Sequence, residues 1–272
     1  MATSSEISIT RYESGDSVVA NDEIACEEPL EIRVEGKSVA IVMRTPGHDE
    51  ELTAGFLLSE GIVAGRGEIF EISQCPSQEG QQGNVIEVLL TDASRLDLAA
   101  LTRNVFTSSS CGICGKATIE SVFQQFPPLG GDYGVAAEMI LHYPDRLRSA
   151  QSTFDRTGGL HASALIDAAG EILVVREDVG RHNALDKVIG YALLNDLLPL
   201  SEYSLILSGR ISFELVQKAL SAGIPIVAGI SAPSSLAVEF ARESGQALIG
   251  FLRGQSMNIY AGTGRISTDE KA

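Results

Sequence analysis

Two cysteines, Cys111 and Cys114, lie three positions apart in the segment Ser-Ser-Cys-Gly-Ile-Cys-Gly, residues 109–115. A helix is predicted directly after them, over residues 116–126, so the pair precedes a helix N-terminus with unpaired N–H groups and a partial positive charge. Such a position stabilises thiolate over thiol, and the thiolate is the reactive nucleophile. Because a glycine follows each cysteine, a bulky sulfur acceptor has room to reach either sulfur atom. The pattern favours a sulfur-transfer or redox-active pair.

Two other interpretations of this pair stay open: small residues in a turn, or half of a zinc site. A structural zinc ion is usually bound by about four protein ligands. Cys26 and Cys75 are distant from Cys111 and Cys114 in the sequence, and no second Cys-x-x-Cys is present. The spacing is equally compatible with disulfide exchange and with persulfide chemistry. Four cysteines in 272 residues do not indicate a disulfide scaffold, and no role is assigned to Cys26 and Cys75.

Three segments that leave predicted strands carry groups that bind anions. Residues 208–210 combine a hydroxyl, a glycine and a cation, in Ser208, Gly209 and Arg210, and residues 231–235 read Ser-Ala-Pro-Ser-Ser. The third segment adds an arginine and a glycine loop: Phe251, Leu252, Arg253, Gly254, Gln255 and Ser256. Each alone is typical of an ordinary cap or turn. Together on one edge of a sheet they would suit phosphate, because N–H groups and arginine prefer anions.

Two further polar segments precede and follow predicted strands. Residues 157–162 read Thr-Gly-Gly-Leu-His-Ala, and His161 is either a satisfied core histidine or a functional group. Residues 177–187 read Glu-Asp-Val-Gly-Arg-His-Asn-Ala-Leu-Asp-Lys. A solvated helix cap would explain Asp178 and Asn183. It explains less well why Arg181 and His182 lie among acids in a loop that should face the ligand edge, so functional use is favoured there.

The elements that must position these groups are clearest in the C-terminal half. Strands are predicted over 161–167, 171–176, 204–207, 225–230, 247–251 and 257–260, with helices over 183–194, 212–222 and 234–243. This alternation predicts a largely parallel central sheet with helices on its faces, and ligands gather at the C-terminal ends of such strands.

The N-terminal half is predicted to contain fewer regular elements. Residues 30–43 alternate like strands around a turn at Glu35-Gly36-Lys37, and 84–91 form another strand. Asp49 is predicted to cap a helix that runs to Glu60 and directs Leu52 and Phe56 into the core. The first 22 residues are predicted to be loosely held. Residues 134–152 should be mostly helical with a break at Tyr143-Pro144, and a domain boundary is placed near Asn104.

Composition excludes several classes of protein. Hydrophobic residues are 44% and charged residues 21%, as in globular chains. The net charge of −16 argues against nucleic acid and anionic lipid as partners, and with 6% aromatics and no Trp a base-stacking surface is not expected. No apolar run approaches the roughly 18 residues of a membrane span, and no secretory signal is seen, so a cytosolic chain with reduced thiols is expected.

These motifs also resemble the FdhD family of formate dehydrogenase accessory proteins. The resemblance rests on the blocks at 109–115, 157–161 and 177–187. It continues through Leu-Ser-Gly-Arg at 207–210, Ala-Gly-Ile-Pro at 222–225, Ser-Ala-Pro-Ser-Ser-Leu-Ala at 231–237 and Gly-Phe-Leu-Arg-Gly at 250–254. In the N-terminal half, Met-Arg-Thr-Pro at 43–46 and Gly-Phe-Leu-Leu-Ser-Glu-Gly at 55–61 fit as well. The resemblance covers residues 24–262.

The resemblance implies a sulfur carrier. Such proteins take sulfane sulfur from a cysteine desulfurase, hold it as a persulfide, and pass it to the bis(molybdopterin guanine dinucleotide) molybdenum cofactor of formate dehydrogenase. By motif position Cys111 would carry the persulfide and Cys114 would assist. The cofactor segment would fall on residues 251–256, while Ser208, Gly209, Arg210 and Arg253 are candidates for the pyrophosphates, with GDP as a surrogate ligand. The alternative is a cofactor-binding chaperone that moves no sulfur.

The resemblance also implies a homodimer with a three-layer α/β C-terminal domain like that of cytidine deaminases and a smaller α+β N-terminal domain. The expected limits are 1–22 for a flexible segment, 23–105 and 106–262 for the domains, and 263–272 for a tail. Deaminases hold zinc through His-x-Glu and Pro-Cys-x-x-Cys, whereas this chain has His161-Ala162-Ser163 and Ser110 before Cys111. No catalytic zinc and no deamination are therefore expected.

Overall fold

The structure is a computed structural model that describes residues 2–75, 83–95, 122–123 and 125–268. Its strands are β1 (Ser4–Glu13), β2 (Asp16–Ala25), β3 (Glu28–Val34), β4 (Lys37–Arg44), β5 (Ile69–Gln74), β6 (Val85–Leu90), β7 (Val135–Ala136), β8 (His161–Ile166), β9 (Ile172–Asp178), β10 (Ser204–Leu207), β11 (Ile226–Gly229), β12 (Ala247–Arg253), β13 (Ser256–Ala261) and β14 (Ile266–Ser267). Its α-helices are α1 (Asp49–Ser59), α2 (Ala137–Leu141), α3 (Tyr143–Ala150), α4 (Ser152–Thr157), α5 (Arg181–Leu194), α6 (Phe213–Ser221) and α7 (Ser235–Glu243).

The central sheet has six strands in the order β13-β12-β11-β10-β8-β9. The pairs β10–β11 and β11–β12 are parallel, whereas β8–β9, β8–β10 and β12–β13 are antiparallel. The prediction of a largely parallel sheet is therefore wrong. Loop length explains two of the three antiparallel pairs, because β8–β9 and β12–β13 are joined by short turns, and a short turn allows only antiparallel pairing. The third pair, β8–β10, is not formed by consecutive strands.

Both faces of this sheet are buried under helices. Along β10, Leu205 and Leu207 enter one hydrophobic cluster while Ile206 enters the other, as the two-residue period of a strand requires. Helix α5 packs on the first side and α3 on the second. The chain is thus a mixed α/β protein, and its specific likeness to cytidine deaminases stays a prediction.

A second, four-stranded sheet in the order β4-β3-β6-β5 forms much of the N-terminal half. The predicted turn between β3 and β4 is confirmed: Glu35 and Gly36 have φ angles of 51° and 74°. Positive φ at both central residues suits a tight hairpin, since it matches the twist of the strands. The strand β6 is also where it was predicted, but β5 was not predicted from the sequence.

Helix α1 joins this half of the chain to the central sheet by packing closely against α5. A Cβ atom on Gly55 would lie 1.8 Å from the carbonyl oxygen of Asp186, and one on Gly190 would lie 1.7 Å from that of Glu51. Two glycines therefore let the backbones touch. Leu52 and Phe56 of α1 are buried as predicted.

The start of α1 differs from the prediction. The residue before the first turn is His48, which has a left-handed backbone and makes no side-chain cap, so Asp49 is not the cap. Asp49 is instead bound by the guanidinium of buried Arg44, with N–O distances of 2.9 and 2.8 Å. The Asp49 carboxylate is paired with Arg44 and does not cap the helix, because the buried arginine needs a counter-charge.

The N-terminal residues also differ from the prediction, which assigned them no strands. They form the antiparallel hairpin β1–β2, in register from Ser4 opposite Ala25 to Glu13 opposite Asp16. Residues 134–152 contain the short strand β7, the helices α2 and α3 with a break at His142, near the predicted Tyr143-Pro144, and the first residue of α4. Most of the predicted helix 116–126 lies outside the described residues, and the proposed domain limits stay predictions. Within the described residues no helix is long and apolar enough to cross a membrane.

Candidate functional site

The three predicted anion-binding segments lie side by side at one edge of the central sheet. They follow β10, β11 and β12, whose ends point the same way because these strands are parallel. The backbone amide of Ile211 donates to Ala232 (3.1 Å), and the amide of Phe251 donates to Ser231 (3.1 Å). The middle segment, residues 231–235, is therefore hydrogen-bonded to segment 251–256 and to Ile211, which directly follows segment 208–210. The sheet therefore brings together three segments for which the sequence had indicated only that each lies near the end of a different strand.

The first segment, residues 208–210, is fixed against the start of β8. The hydroxyl of Ser208 accepts a 2.8 Å hydrogen bond from the Ala162 amide. Gly209 lies against His161: a Cβ on this glycine would be 3.1 Å from the histidine Nδ1. Arg210 is exposed. Arg210 is therefore a solvent-exposed cation that follows directly on a segment hydrogen-bonded to β8.

The segment 251–256 comprises the last three residues of β12, the two-residue turn 254–255 and the first residue of β13. Phe251 has a left-handed backbone (φ 50°) and is 38% exposed. The Arg253 guanidinium lies 5.3 Å from the centre of the Phe251 ring, and its Nε donates a hydrogen bond to the Ile230 carbonyl oxygen (3.2 Å). Gly254, Gln255 and Ser256 are exposed. The side chain of Leu252 is wholly buried, so this residue offers a ligand only its backbone.

The block 177–187 has a largely structural role. Asp178 and Lys187 form a buried ion pair with an O–N distance of 2.7 Å. The Asp178 carboxylate also accepts hydrogen bonds from the Thr45 amide (3.1 Å) and the Asn183 side chain (2.9 Å). The Glu177 carboxylate accepts from two amides at the start of α4. Asp178 and Lys187 thus hold the Thr45 loop of the N-terminal half against the C-terminal half.

A second buried network ties α1 to α5 and α6. Lys218 donates to Ser59 (2.7 Å) and to the Asp186 carboxylate (3.0 Å), and Ser59 donates to Asp186 (2.9 Å). Burial would lower the pKa of Lys218, but the charges of Asp186 and Glu60 more than offset this and raise it. The lysine therefore stays protonated and its charge is paired.

The same block leaves Arg181 and His182 at the sheet edge, beside the turn 208–210. His182 Nε2 lies 2.9 Å from a Glu214 carboxylate oxygen and 3.3 Å from the Ser212 hydroxyl. The hydrogen bond with His182 lowers the pKa of Glu214. Burial lowers the pKa of His161, the nearby charges of Arg181, His182 and Arg210 act in the same direction, and the charge of Asp178 opposes them. The sequence prediction that Arg181 and His182 reach the ligand edge agrees with this placement.

The cysteine pair cannot be added to this geometry, because Cys111 and Cys114 lie outside the described residues. Cys26 and Cys75 are partly buried free thiols. Within the described part of the chain, no three side chains of the His, Cys, Asp or Glu type are grouped to hold a metal ion. The predicted absence of a catalytic zinc stays a prediction.

Comparison with known proteins assigns the chain to a family. A family model described as the FdhD/NarQ family matches residues 25–267. The chain belongs to this family. The resemblance inferred from the FdhD motifs is thereby confirmed, over nearly the range expected from them.

Curated relatives match the chain over almost its whole length. A protein of Mycobacterium tuberculosis named sulfur carrier protein FdhD is 51% identical over 266 residues, which is 94% of this chain and 96% of the relative. Proteins of the same name from Streptomyces coelicolor and Saccharolobus solfataricus are 49% and 44% identical, over 95% of this chain in both cases and 94% and 96% of the relatives.

A solved structure of an FdhD-type protein has the same fold. It is a putative formate dehydrogenase accessory protein from Desulfotalea psychrophila, 27% identical, with a TM-score of 0.78 over 98% of this chain and 100% of the solved one. The FdhD fold described above therefore also holds in a more distant relative.

Proposed function

We propose that the protein is a sulfur carrier required for formate dehydrogenase activity. It accepts sulfane sulfur from a cysteine desulfurase as a persulfide on Cys111 and transfers it to the bis(molybdopterin guanine dinucleotide) molybdenum cofactor, before the cofactor enters the dehydrogenase. The observation that carries this proposal is the match of 44–51% identity, over nearly full length, to relatives named sulfur carrier protein FdhD.

The loading step requires only thiolate exchange. The Cys111 thiolate attacks the outer sulfur of the desulfurase persulfide, so a new S–S bond forms on Cys111 while the donor S–S bond breaks and the desulfurase thiolate leaves. A lowered pKa serves both steps, because it raises the thiolate fraction during loading and makes Cys111 the better leaving group during transfer. Cys114 assists in one of two ways. It accepts the outer sulfur, with the Cys111 thiolate as the leaving group, or it resolves the persulfide: the Cys114 thiolate attacks the inner sulfur, a Cys111–Cys114 disulfide forms, and the outer sulfur leaves as hydrosulfide with the two electrons that the thiols supply.

The edge of the central sheet supports the cofactor part of the proposal. The cargo carries guanine dinucleotide diphosphates, and two exposed arginines, Arg210 and Arg253, flank the loop 231–234. Arginine and backbone N–H groups are the usual ligands of phosphate in proteins. We assign residues 208–210 and 251–256 to the cofactor, with the buried Leu252 contributing backbone alone and GDP as the surrogate ligand.

The remaining parts of the proposal follow the family expectations. The partners are a cysteine desulfurase, the catalytic subunit of formate dehydrogenase and a second copy of this chain. The protein acts in the cytoplasm as a sulfurtransferase on a deaminase-like domain without zinc. Neither nucleic acid nor membrane is a partner, which is in keeping with the net charge of −16.

Complementation tests the proposal against a cofactor-binding chaperone that moves no sulfur. A strain that lacks its own carrier is supplied with the wild-type chain or with Cys111→Ala, and formate dehydrogenase activity is measured. Cys75→Ala, which removes a partly buried thiol elsewhere, is the matched control. Loss of activity in Cys111→Ala alone supports sulfur transfer. Full activity in Cys111→Ala would favour the chaperone instead.

A further inference from the structure

The hairpin β1–β2 is held to the rest of the chain at its base. Arg156 of α4 is paired with Glu23 and donates a hydrogen bond to Ser4 (3.2 Å). Gly159 lies against Ala25, since a Cβ on this glycine would be 3.5 Å from the alanine Cβ. Beyond this base most residues of both strands are exposed. The outer part of the hairpin therefore reaches into solvent.

Alternation along the two strands divides the hairpin into two faces. The face that holds Ser4, Glu23 and Ala25 contacts the body of the protein. The opposite face, which we call the outer face, carries a row of apolar side chains: Ile7, Ile9, Val18, Ala20 and Ile24. Val18 is 56% exposed, and Ile7 and Ile24 are each 40% exposed. The contacts at the base thus leave the apolar face free.

This apolar surface has little support within the hairpin itself. A two-stranded hairpin is marginally stable in water unless another element packs on it. Near the tip, Tyr12 and Val19 of the other face are also exposed, at 70% and 80%. Because contiguous apolar surface of this kind marks interaction sites on proteins, we expect a partner protein to cover the outer face.

The charge of the hairpin restricts the kind of partner. Residues 4–25 contain five carboxylates and one arginine, a net charge of −4. Three of the carboxylates, Glu13, Asp16 and Asp22, lie on the outer face and form no ion pair with any residue that the structure describes. An apolar centre with a polar rim is typical of protein interfaces. The matching surface of the partner should therefore be basic.

A second copy of this chain does not meet that requirement. In a twofold contact the same patch lies on both copies, so the unpaired carboxylates of one outer face would meet those of the other. Like charges that face each other weaken association. The chain as a whole has a net charge of −16, so its other surfaces are on average no better matched.

We infer that the outer face of β1–β2 docks the catalytic subunit of formate dehydrogenase, through a basic surface beside the entrance for the cofactor. The inference rests on the proposed function, in which this subunit receives the cargo. A cargo with two diphosphates is strongly anionic, so the protein that takes it up needs cationic groups at the entrance. The hairpin is suitably placed, because Gly159 contacts its base and His161, two residues later, begins β8 at the ligand edge.

Binding of the full chain to the purified catalytic subunit, made in cells that cannot synthesise its cofactor, tests this surface. Dissociation constants are measured by biolayer interferometry at low and at high ionic strength. The amide variant combines three substitutions on the outer face: Glu13→Gln, Asp16→Asn and Asp22→Asn. Its control removes three exposed carboxylates from other surfaces: Glu138→Gln, Glu202→Gln and Glu239→Gln. A separate variant, Val18→Ser, removes an exposed apolar side chain from the outer face.

The two hairpin variants should differ in their response to salt. The amide variant should weaken binding about tenfold at low ionic strength and little at high ionic strength, because exposed charge pairs are individually weak and screened by salt. Val18→Ser should weaken binding about tenfold at both, because it removes apolar contact. The control should bind like the wild type. Circular dichroism confirms folding, and the amide variant keeps the test valid if Val18→Ser is unstable.

The outcomes separate this inference from the proposed function. A wild type that does not bind the empty subunit, or hairpin variants that bind it unchanged, would overturn the docking surface even if Cys111 loads sulfur. A self-associated wild type that Val18→Ser dissociates in sedimentation velocity would also overturn it, by assigning the outer face to a second copy. Loss of binding in both hairpin variants would support it. The same loss in a chain that never loads sulfur would overturn only the sulfur-transfer proposal.

Discussion

Asp178 and Lys187 form an ion pair of 2.7 Å between two side chains that are at most 1% exposed. The pair also binds the loop at Thr45, through the Thr45 amide and carbonyl (3.1 and 2.9 Å). One charged pair therefore fixes the N-terminal half of the chain to strand β9, which ends at the ligand edge, and to helix α5, which begins there.

Replacing Lys187 by Met should destabilise the protein strongly, because it leaves the Asp178 carboxylate buried without its counter-charge. Breaking a buried pair in this way costs about 3–5 kcal/mol. The free energy of unfolding from urea titration measures the loss. Lys37→Met in the exposed turn of β3–β4 is the control and should change stability by less than about 0.5 kcal/mol. Equal stability of the two variants would contradict the role assigned to the pair.

Because α1 and α5 are in close contact, two glycine substitutions should differ in their effect on the free energy of unfolding. Gly190→Ala would place a methyl group 1.7 Å from the Glu51 carbonyl oxygen. The helices must then separate, and overpacking of this kind costs about 1–3 kcal/mol or more. Gly65→Ala is the matched control, since a Cβ there meets nothing within 4 Å. Urea titration should show a loss for Gly190→Ala alone, and an unaffected Gly190→Ala would refute the close packing.

Stability should fall in acid partly through Glu51. Burial raises the pKa of this carboxyl, but hydrogen bonds from Arg176 and then His48 outweigh it, so the folded-state pKa lies below the ordinary value of 4.5. A lowered pKa contributes stability above pH 4.5 that disappears as the pH falls through the folded-state value.

Glu51→Gln measures this contribution. Its deficit in the free energy of unfolding should be largest near pH 7 and should shrink as the pH drops below about 4.5. Glu50→Gln, in the exposed neighbouring position, should show little deficit at either pH. A Glu51→Gln deficit that grows in acid would have the wrong sign for the ion pair with Arg176.

Two neighbours at the end of β12, Leu252 and Arg253, should respond differently to substitution by alanine. Leu252 is wholly buried, so Leu252→Ala should cost about 2–5 kcal/mol of stability. Arg253 is exposed beside Phe251, so Arg253→Ala should spare stability but weaken GDP binding. Thermal melting and calorimetric titration separate the two effects. Normal GDP affinity in Arg253→Ala would remove Arg253 from the cofactor site.

Local sequence patterns were sufficient to predict many helices and strands, and to predict that three polar segments meet at one edge of the central sheet. The turn at Glu35-Gly36 and the helix from Asp49 were found because turn chemistry and helical periodicity act over a few residues. The hairpin β1–β2 was missed because most of its residues are exposed on both faces, and the alternation of Ile7 and Ile9 is too short to indicate a strand.

The contacts across the chain were beyond any local pattern. Thr45 and Asp178 are 133 positions apart, so their hydrogen bond leaves no spacing to detect. The block 177–187 was interpreted as functional, with a solvated helix cap as the alternative explanation. The structure shows that its polar residues fall into two groups. Asp178, Asn183 and Lys187 stabilise the fold, while Arg181 and His182 at the start of α5 reach the ligand edge.

The most direct test of the central claim is the intact mass of the reduced protein after incubation with an active cysteine desulfurase and cysteine. The account predicts an adduct of one sulfur atom on the wild type, on Cys26→Ala and on Cys75→Ala, and its loss in Cys111→Ala. An adduct that persists in Cys111→Ala, or a wild type without any adduct while the desulfurase loads another acceptor, would contradict it.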